Sequence, residues 1–516
     1  MKSLFKVNTV IALLCIFSDV AKAARILAVF PTPSISHQVV YRELTVELSK
    51  RGHEFVIFTT DPINDPSLKN YKEIDMHHTY SLMPDFVKTS ETTFITDWWG
   101  TAESILEQFF SHPEMQRIIA PNNTEHFDLI MLEYMSWEAT CALHDRLKAP
   151  IIGIISLQLF QWGHYGIGNP TALAYSPTVL DSFDYDVTSF WHRLRLLYEH
   201  SVQAFGHRFD NMPRQERLVK KYFGENVRDL QELNAELSLV ISNTNPILGY
   251  PRPNLPIIIE VGGIHLKIKM KGFEKNVKKF LDSAVEGFVY FSLGSNVKSK
   301  HLPEHKLKTL MSVFASLPYK VLWKFELDTL PGKPDNVFIS KWLPQHDVLA
   351  HPNIKVFVYQ GGLQSTEEAI TLGVPLVGVP VFGDQIFNVV KLVSVRIAKM
   401  VHFNSLPGEE LRKAIVEVAS DPSWKERVIK FRELLTDQPD TPLDRAVWWT
   451  EYVIRHKGAY HLRPKARFLS WYQREFLDVM AFVIAIVLLV VYLTVKIVRR
   501  LLAYICRKVC AKVKTN

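Results

Sequence analysis

Cysteine is scarce in this chain, with 4 in 516 residues. Cys15 lies in an N-terminal apolar stretch, and Cys506 and Cys510 lie near the C-terminus, so Cys141 stands alone in the body. A disulfide within the body is thereby excluded, and stability has to come from apolar cores. No Cys/His spacing of the zinc type occurs, and no Asp-x-Asp motif follows a strand in the second half, so no metal is expected. No Lys-Ser/Thr follows Gly361-Gly362, which excludes a Walker loop. Internal repeats and low-complexity segments are absent. The tail 496–516 holds no acid at all.

What is present fits two domains of about 200 residues each plus extras. The apolar fraction of 47% supports large cores. Lys2 and Lys6, an apolar run around Val10–Phe17 and Ala21-Lys22-Ala23 make residues 1–23 a signal peptide. Val479–Val495 is 17 residues without a charge and reads as a transmembrane helix. Lys496, Arg499 and Arg500 follow at once, so that end is cytoplasmic and the body lumenal. The tail holds seven bases and residues 1–23 carry +2; taken off the total of +7, these leave −2 for residues 24–495. The basic balance therefore reports membrane topology, and no nucleic-acid partner is expected. Membrane lipid is one partner, and self-association into a homo-oligomer is left open. Asn122-Asn123-Thr124 is the single N-x-Ser/Thr sequon, so Asn122 is the N-glycosylation candidate.

The periodicity predicts a parallel α/β architecture. Arg25–Phe30 reads as a buried strand, His37–Lys50 as a helix, and Glu54–Thr59 as the next strand. Further strands are expected at 127–132 and 150–155, with a helix at 137–147 between them. Residues 160–240 read as longer helical pieces rich in aromatics. Prolines 246, 251, 253 and 256 with Gly262-Gly263 mark a linker. A second α/β set begins at Phe288–Ser292. The implied division is 24–245 for a first domain, 246–286 for linker and the start of a second, and 287–458 for the second domain. Residues 459–478 form a juxtamembrane segment, 479–495 the span and 496–516 the basic tail.

Residues 342–385 carry the strongest chemical signal. A strand (354–358) runs into Gly361-Gly362, a helix opens near Leu363, and a second strand follows at 374–379. A strand ending in glycines at a helix N-terminus is an anion site, because free N–H groups and the helix dipole both favour negative charge. Gln360, Gln364, Ser365, Glu368, Asp384 and Gln385 surround it. Trp342 stands upstream, placed to stack on a base.

This ordered set resembles the signature of the UDP-glycosyltransferases. The matched elements are Trp342, Gln345, Gly361-Gly362, Ser365, Glu368 and Asp384-Gln385. Phe291–Asn296, Ser36-His37 and Arg51–Glu54 match further parts, over nearly the whole chain. The resemblance implies the GT-B fold, two Rossmann-like domains facing a cleft, plus the C-terminal transmembrane helix. It implies inverting, metal-independent transfer of a hexose, with UDP-glucose as the expected donor, to a hydroxyl of a small lipophilic acceptor. The UDP-sugar is then a co-substrate, and no cofactor is expected. Trp342 would stack on uracil, Gln345 contact the base and Glu368 hold the ribose. Ser295 and Ser365 would contact the phosphates with Gly362 and Gln364 at the turn, and Asp384 and Gln385 the sugar. His37 would be the general base, oriented by Glu133 where the family has Asp. The family usually has His at the position of Gln360. A neutral amide donates a hydrogen bond without carrying charge, so a catalytically weak, lipophile-binding member is the alternative. The final Lys512–Asn516 resembles a dilysine-type retrieval signal, implying the endoplasmic reticulum membrane, single-pass type I.

Overall fold

A computed structural model describes residues 23–87, 94–180, 187–266 and 272–513. The expected signal peptide, apart from Ala23, and the last three residues of the retrieval signal lie outside the described residues. The chain forms two units, 1–463 and 464–516.

The first unit contains two parallel sheets. One has seven strands: β1 (Arg25–Phe30), β2 (Glu54–Thr59), β3 (Tyr71–Asp75), β4 (Leu129–Glu133), β5 (Ile151–Ile155), β6 (Leu237–Ser242) and β7 (Ile258–Glu260), in the order β3-β2-β1-β4-β5-β6-β7. The other has six: β8 (Phe288–Ser292), β9 (Lys320–Lys324), β10 (Val337–Ser340), β11 (Ile354–Tyr359), β12 (Leu376–Gly378) and β13 (Ala398–Met400), in the order β10-β9-β8-β11-β12-β13. Strands covered on both faces read as unbroken apolar runs, and β4, β5, β6 and β8 are buried at every position. In the second core Trp323 is fully buried, with Phe291 and Phe314 edge-on at 5.4 and 5.2 Å.

Each sheet reverses its winding once, between β1 and β4 and between β8 and β11. Parallel α/β sheets open a crevice at the carboxyl ends of the strands at such a point. The helices around the two sheets include α1 (Ile35–Lys50), α2 (Gln161–Gly166), α3 (Phe190–Gly206), α4 (Met212–Phe223), α5 (Gln345–Ala350), α6 (Leu363–Thr371) and α7 (Gln385–Ser394).

Several expected boundaries shift. The strand β7 lies inside the stretch expected to be linker and pairs with β6, so the first domain extends past the proline cluster. Helix α8 (Pro442–Arg455), expected to close the second domain, packs on α1 and β7 of the first. Its Arg445 Nη1 donates to the Glu260 carbonyl at 2.8 Å. The expected helix at 137–147 is a 3₁₀ turn, Glu138–Cys141, followed by a short helix, Ala142–Leu147. The expected juxtamembrane segment begins late: Arg463 Nε donates to the Leu237 carbonyl at 3.0 Å, so 459–463 belong to the first unit.

The second unit is dominated by α9 (Leu477–Val513). Its stretch Leu477–Val509 is the one helix among the described residues long and apolar enough to cross a membrane. The helix does not stop at Val495. The bases expected to begin a tail continue the same helix, because nothing in 496–513 breaks it: the segment holds neither proline nor glycine.

Candidate functional site

The first half of the site is built on β1, β4 and α1. The chain leaves β1 through Pro31–Ser34 and enters α1, placing His37 in its first turn. β4 ends at Glu133, the neighbour of β1 in the sheet. His37 Nδ1 lies 3.0 Å from Glu133 Oε1. The Glu133 side chain is fully buried, and that of His37 is 13% exposed. Glu133 accepts three further hydrogen bonds: Thr32 N–H at 2.9 Å, Thr32 Oγ1 at 2.6 Å and Tyr41 OH at 2.8 Å. A buried carboxylate needs such partners, since unpaired it would be costly. Burial, and then the Glu133 charge, push the Tyr41 phenol well above its usual range, so it acts as a fixed donor. Trp137 Nε1 donates to Thr32 Oγ1 at 3.2 Å and completes the scaffold. The pair is thus oriented by side chains that are themselves locked.

The second half divides into two clusters. In one, Gln345 Nε2 donates to Glu368 Oε2 at 2.6 Å and to Ser365 Oγ at 2.9 Å. Glu368 Oε1 also pairs with His346 Nε2 at 3.1 Å. Burial pushes the Glu368 carboxyl up, but His346, His265 and Gln345 outweigh it and hold it below its usual value. The bond to Glu368 raises the His346 imidazole against the effect of burial. Trp342 stands in the β10–α5 loop, 65% exposed, with Lys324 Nζ 5.7 Å from its ring centre. Ser295 follows β8 and is half-buried.

The other cluster lines the cleft. Gln360, Gly362, Gln364, Asp384 and Gln385 share with His37, Ser34 and Ser36 the lining of an open cleft of about 910 Å³, its solvent-filled mouth included. Met83, Phe86, Trp98, Phe160 and Trp162 supply its apolar wall. Burial raises the Asp384 carboxyl, with Asn388 and the His37 charge opposing. Asn388 Nδ2 bridges Asp384 Oδ2 at 2.8 Å and the Gly361 carbonyl at 2.9 Å. Gln385 Oε1 is engaged by Val381 N–H and Phe382 N–H at 2.8 and 3.1 Å, so that oxygen shapes the loop and does not face a ligand. Gln364 Nε2 donates to the Ser156 carbonyl of the first domain at 2.8 Å. Ser34 Oγ and Asn296 also bond across the cleft, at 3.0 Å.

His37 and Glu133 are therefore brought together, as are Gln345, Ser365 and Glu368. Asp384, Gln385, Gln360, Gly362 and Gln364 share one wall. Ser295 and Trp342 do not line that cavity. Sequence reasoning passed over His346, Thr32, Tyr41 and Asn296. His346 had a signal, since it adjoins Gln345 in the signature. Tyr41 lies one turn beyond His37 on α1 and also had one. Asn122 is exposed in the turn after the helix Pro113–Ile119. Cys141 is buried, and burial pushes its thiol far up. Among the described residues no group of three or more His, Cys, Asp or Glu side chains is arranged to hold a metal ion.

The family model described as "UDP-glucoronosyl and UDP-glucosyl transferase" matches residues 25–515. The chain is 35% identical over 478 residues to UDP-glycosyltransferase UGT5 of Dactylopius coccus, covering 91% of this chain and 90% of that one. It is 33% identical over 490 residues to UDP-glucosyltransferase 2 of the same organism, covering 92% of each. Among solved structures, the calicheamicin glycosyltransferase CalG4 superposes with a TM-score of 0.57 at 17% identity, covering 84% of this chain and 99% of that one. That likeness bears on the fold, which is GT-B.

Proposed function

The chain belongs to the UDP-glucuronosyl and UDP-glucosyl transferase family, and from that premise we propose that it glucosylates a hydroxyl of a small lipophilic acceptor with inversion. Transfer of a hexose from a UDP-sugar follows from the family itself. The observation that carries the finer reading is the buried Glu133 holding His37 at 3.0 Å on the rim of an aromatic-lined cavity.

In this reading His37 donates its Nδ1–H to Glu133, which leaves Nε2 as the acceptor. Nε2 takes the proton of the acceptor hydroxyl as its oxygen attacks the anomeric carbon. The bond from that carbon to the β-phosphate oxygen breaks, and its electron pair leaves with UDP. Attack opposite the leaving group inverts the anomeric centre. Glu133 keeps its charge and stabilises the imidazolium that forms. Trp342 stacks on the uracil, and Gln345 and Glu368 hold the nucleoside. Ser295, Ser365, Gly362 and Gln360 hold the diphosphate at the N-terminus of α6. Asp384, with Gln385, grips the sugar. UDP-glucose is favoured as the donor by the 33% identical UDP-glucosyltransferase 2. The apolar wall of Phe86, Trp98 and Phe160 favours a lipophilic acceptor.

In the same reading the body lies in the lumen of the endoplasmic reticulum, with α9 as the span of a single-pass type I protein. Exposed Asn122 carries the N-glycan in this reading. Full-length protein in membranes, given a phenol and UDP-glucose, is the direct test. UDP release requiring both substrates, with a β-glucoside as product, is expected. Failure with UDP-glucose, UDP-galactose and UDP-glucuronate alike would leave the lipophile-binding alternative. Protease added to sealed microsomes should spare the body, and its digestion in intact vesicles would overturn the topology.

A further inference from the structure

A second cleft lies at the carboxyl ends of β5, β6 and β7, and residues of α7 in the second domain complete its wall. It measures about 700 Å³ with its open mouth included. Leu157, Leu363 and Asp384 line both this cleft and the one that holds His37, so the two meet at Asp384. Its walls are apolar over Leu159, Val179, Leu248 and Phe387. Tyr250 packs on Phe387 there, with ring centres 5.3 Å apart.

Two residues of this lining carry buried donors without an acceptor. Arg252 Nε and Nη1 have no hydrogen-bond partner among the described residues, and Nη2 reaches only the Thr171 carbonyl, at 3.4 Å. Burial pulls the guanidinium down to about 10, with the Glu260 charge opposing, which leaves it cationic at neutral pH. His164 is 1% exposed. Burial, and then the Arg252 charge, hold its imidazole well below the usual range, so the ring is neutral. Asn169 Oδ1 accepts from Leu255 N–H at 2.8 Å, so the Asn169 amide nitrogen, 2.9 Å from His164 Nδ1, is the donor of that pair. The ring proton is therefore on Nε2, and that atom has no partner among the described residues. Lys391 adds a second cation, its Nζ 4.8 Å from the Tyr250 ring centre. The two acids of the lining are engaged elsewhere: Glu260 accepts from Thr244 Oγ1 at 3.3 Å and Asp384 from Asn388 Nδ2 at 2.8 Å. Buried polar groups in folded proteins are paired, so the acceptor for these donors comes from outside the chain.

The chemistry of the lining selects the occupant. Two cations and a neutral N–H donor call for an anion with several acceptor lone pairs, which a carboxylate supplies. A bare inorganic anion would meet the cations and leave Leu248, Phe387 and Tyr250 facing water, so the anion carries an apolar body. We propose that this cleft binds an organic carboxylate, its head on Arg252, His164 and Lys391 and its apolar body against Leu248, Phe387 and Tyr250. A ligand held this way ties Arg252 of the first domain to Lys391 on α7, the helix that begins at Gln385 next to Asp384. The binding does not depend on which sugar or acceptor the His37 cleft takes, nor on whether it transfers one.

The test is fluorine NMR of para-trifluoromethylbenzoate with the full chain in detergent micelles, read against protein-free micelles. Para-trifluoromethylbenzamide is the neutral control of the same shape. The benzoate signal is expected to broaden and the benzamide signal to stay sharp. Arg252→Gln removes a charged donor and should weaken benzoate binding about 10–150-fold, with Arg252→Lys recovering part of the loss. Lys391→Gln should also weaken it; that side chain is half-buried on α7, so this variant decides the matter if Arg252→Gln fails to fold. UDP and a phenol, added together to fill the His37 cleft, should leave the benzoate bound. Displacement by that pair would place the acid in the His37 cleft and overturn the proposal. Equal broadening of benzoate and benzamide would reduce the site to an apolar cleft, and a sharp benzoate signal would mean that water alone pairs the donors; either result overturns it. Thermal midpoints confirm that each variant is folded.

Discussion

His37 Nδ1 and Glu133 Oε1 lie 3.0 Å apart, joining the first turn of α1 to the last residue of β4. Four donors converge on that one carboxylate, so its position is set independently of any ligand. Removing a general base costs about 10²–10⁴ in rate. His37→Ala should therefore lose turnover by that order while UDP affinity, built from the other sheet, is kept. Glu133→Gln should lose less, because the amide preserves shape but cannot stabilise imidazolium. An acceptor with a more acidic hydroxyl should suffer less in both variants. Single-turnover rates with a phenol and a simple alcohol check this, and near-normal turnover of His37→Ala on the alcohol would sink the assignment.

Glu368 is held ionised by His346 and Gln345 before any ligand arrives. Ribose hydroxyls would replace or share those contacts. A hydrogen bond to a charged group contributes about 1.5–3 kcal/mol, so Glu368→Ala should weaken UDP binding roughly 10–150-fold. His346→Ala should weaken it less, through loss of orientation alone. Asp384→Ala should leave UDP affinity nearly unchanged and slow transfer or relax sugar choice. Calorimetric titration with UDP checks all three. Equal losses at 368 and 384 would contradict the division between nucleoside and sugar contacts.

Gln360 packs against Gly294, where φ is +77° and a Cβ would come within 2.3 Å of Gln360 Nε2. Gly294→Ala should cost about 1–2 kcal/mol for the left-handed backbone and also displace the amide. Gly332 has a similar φ of +73° with open space around it. Gly332→Ala should show the backbone cost without the loss of turnover. Denaturant titration beside steady-state rates separates the two effects. Gln360→His, restoring the residue usual in the family, should be tolerated or raise turnover. Abolished activity there would mean the pocket has been rebuilt around glutamine.

The two sheets were legible because parallel strands buried on both faces leave short apolar runs, and the helices between them carry one apolar stripe. The signature was legible because one strand–turn–helix unit carries most of it within 44 consecutive residues, 342–385. Contacts that close over long separations were not. Nothing local in Pro442–Arg455 says that it returns to α1 and β7. β7 is three residues long and follows a proline cluster, which reads as linker in any window. Likewise the pairing of Asn296 with Ser34, 262 residues apart, has no sequence signal. The 160–240 region read as aromatic helix, but nothing local says that His207, Asn211 and Gln215 converge on Glu138, a residue outside it.

Glu367 provides a test of the contact between the two sheet domains. It lies on α6, fully inside the protein, and accepts from Asn243 Nδ2 at 3.0 Å at the end of β6. His265, from the segment between the sheets, lies 3.6 Å away. Burial pushes the Glu367 carboxyl up to about 8, although Asn243 and Gly263 N–H oppose it. In the unfolded chain it titrates near its ordinary value of 4.5. The sign follows from linkage: between these two values the unfolded state has released its proton and the folded state has kept it. Folding stability attributable to this group is therefore full below about 4.5 and falls as pH rises toward about 8, above which it stays constant. Glu367→Gln keeps an acceptor for Asn243 and cannot ionise. It should match the parent protein near pH 4.5 and exceed it in stability at pH 8, with the gap widening steadily between. Denaturant midpoints across that range measure it. A gap that narrows as pH rises would mean that Glu367 is ionised in the folded protein and paired with a protonated His265.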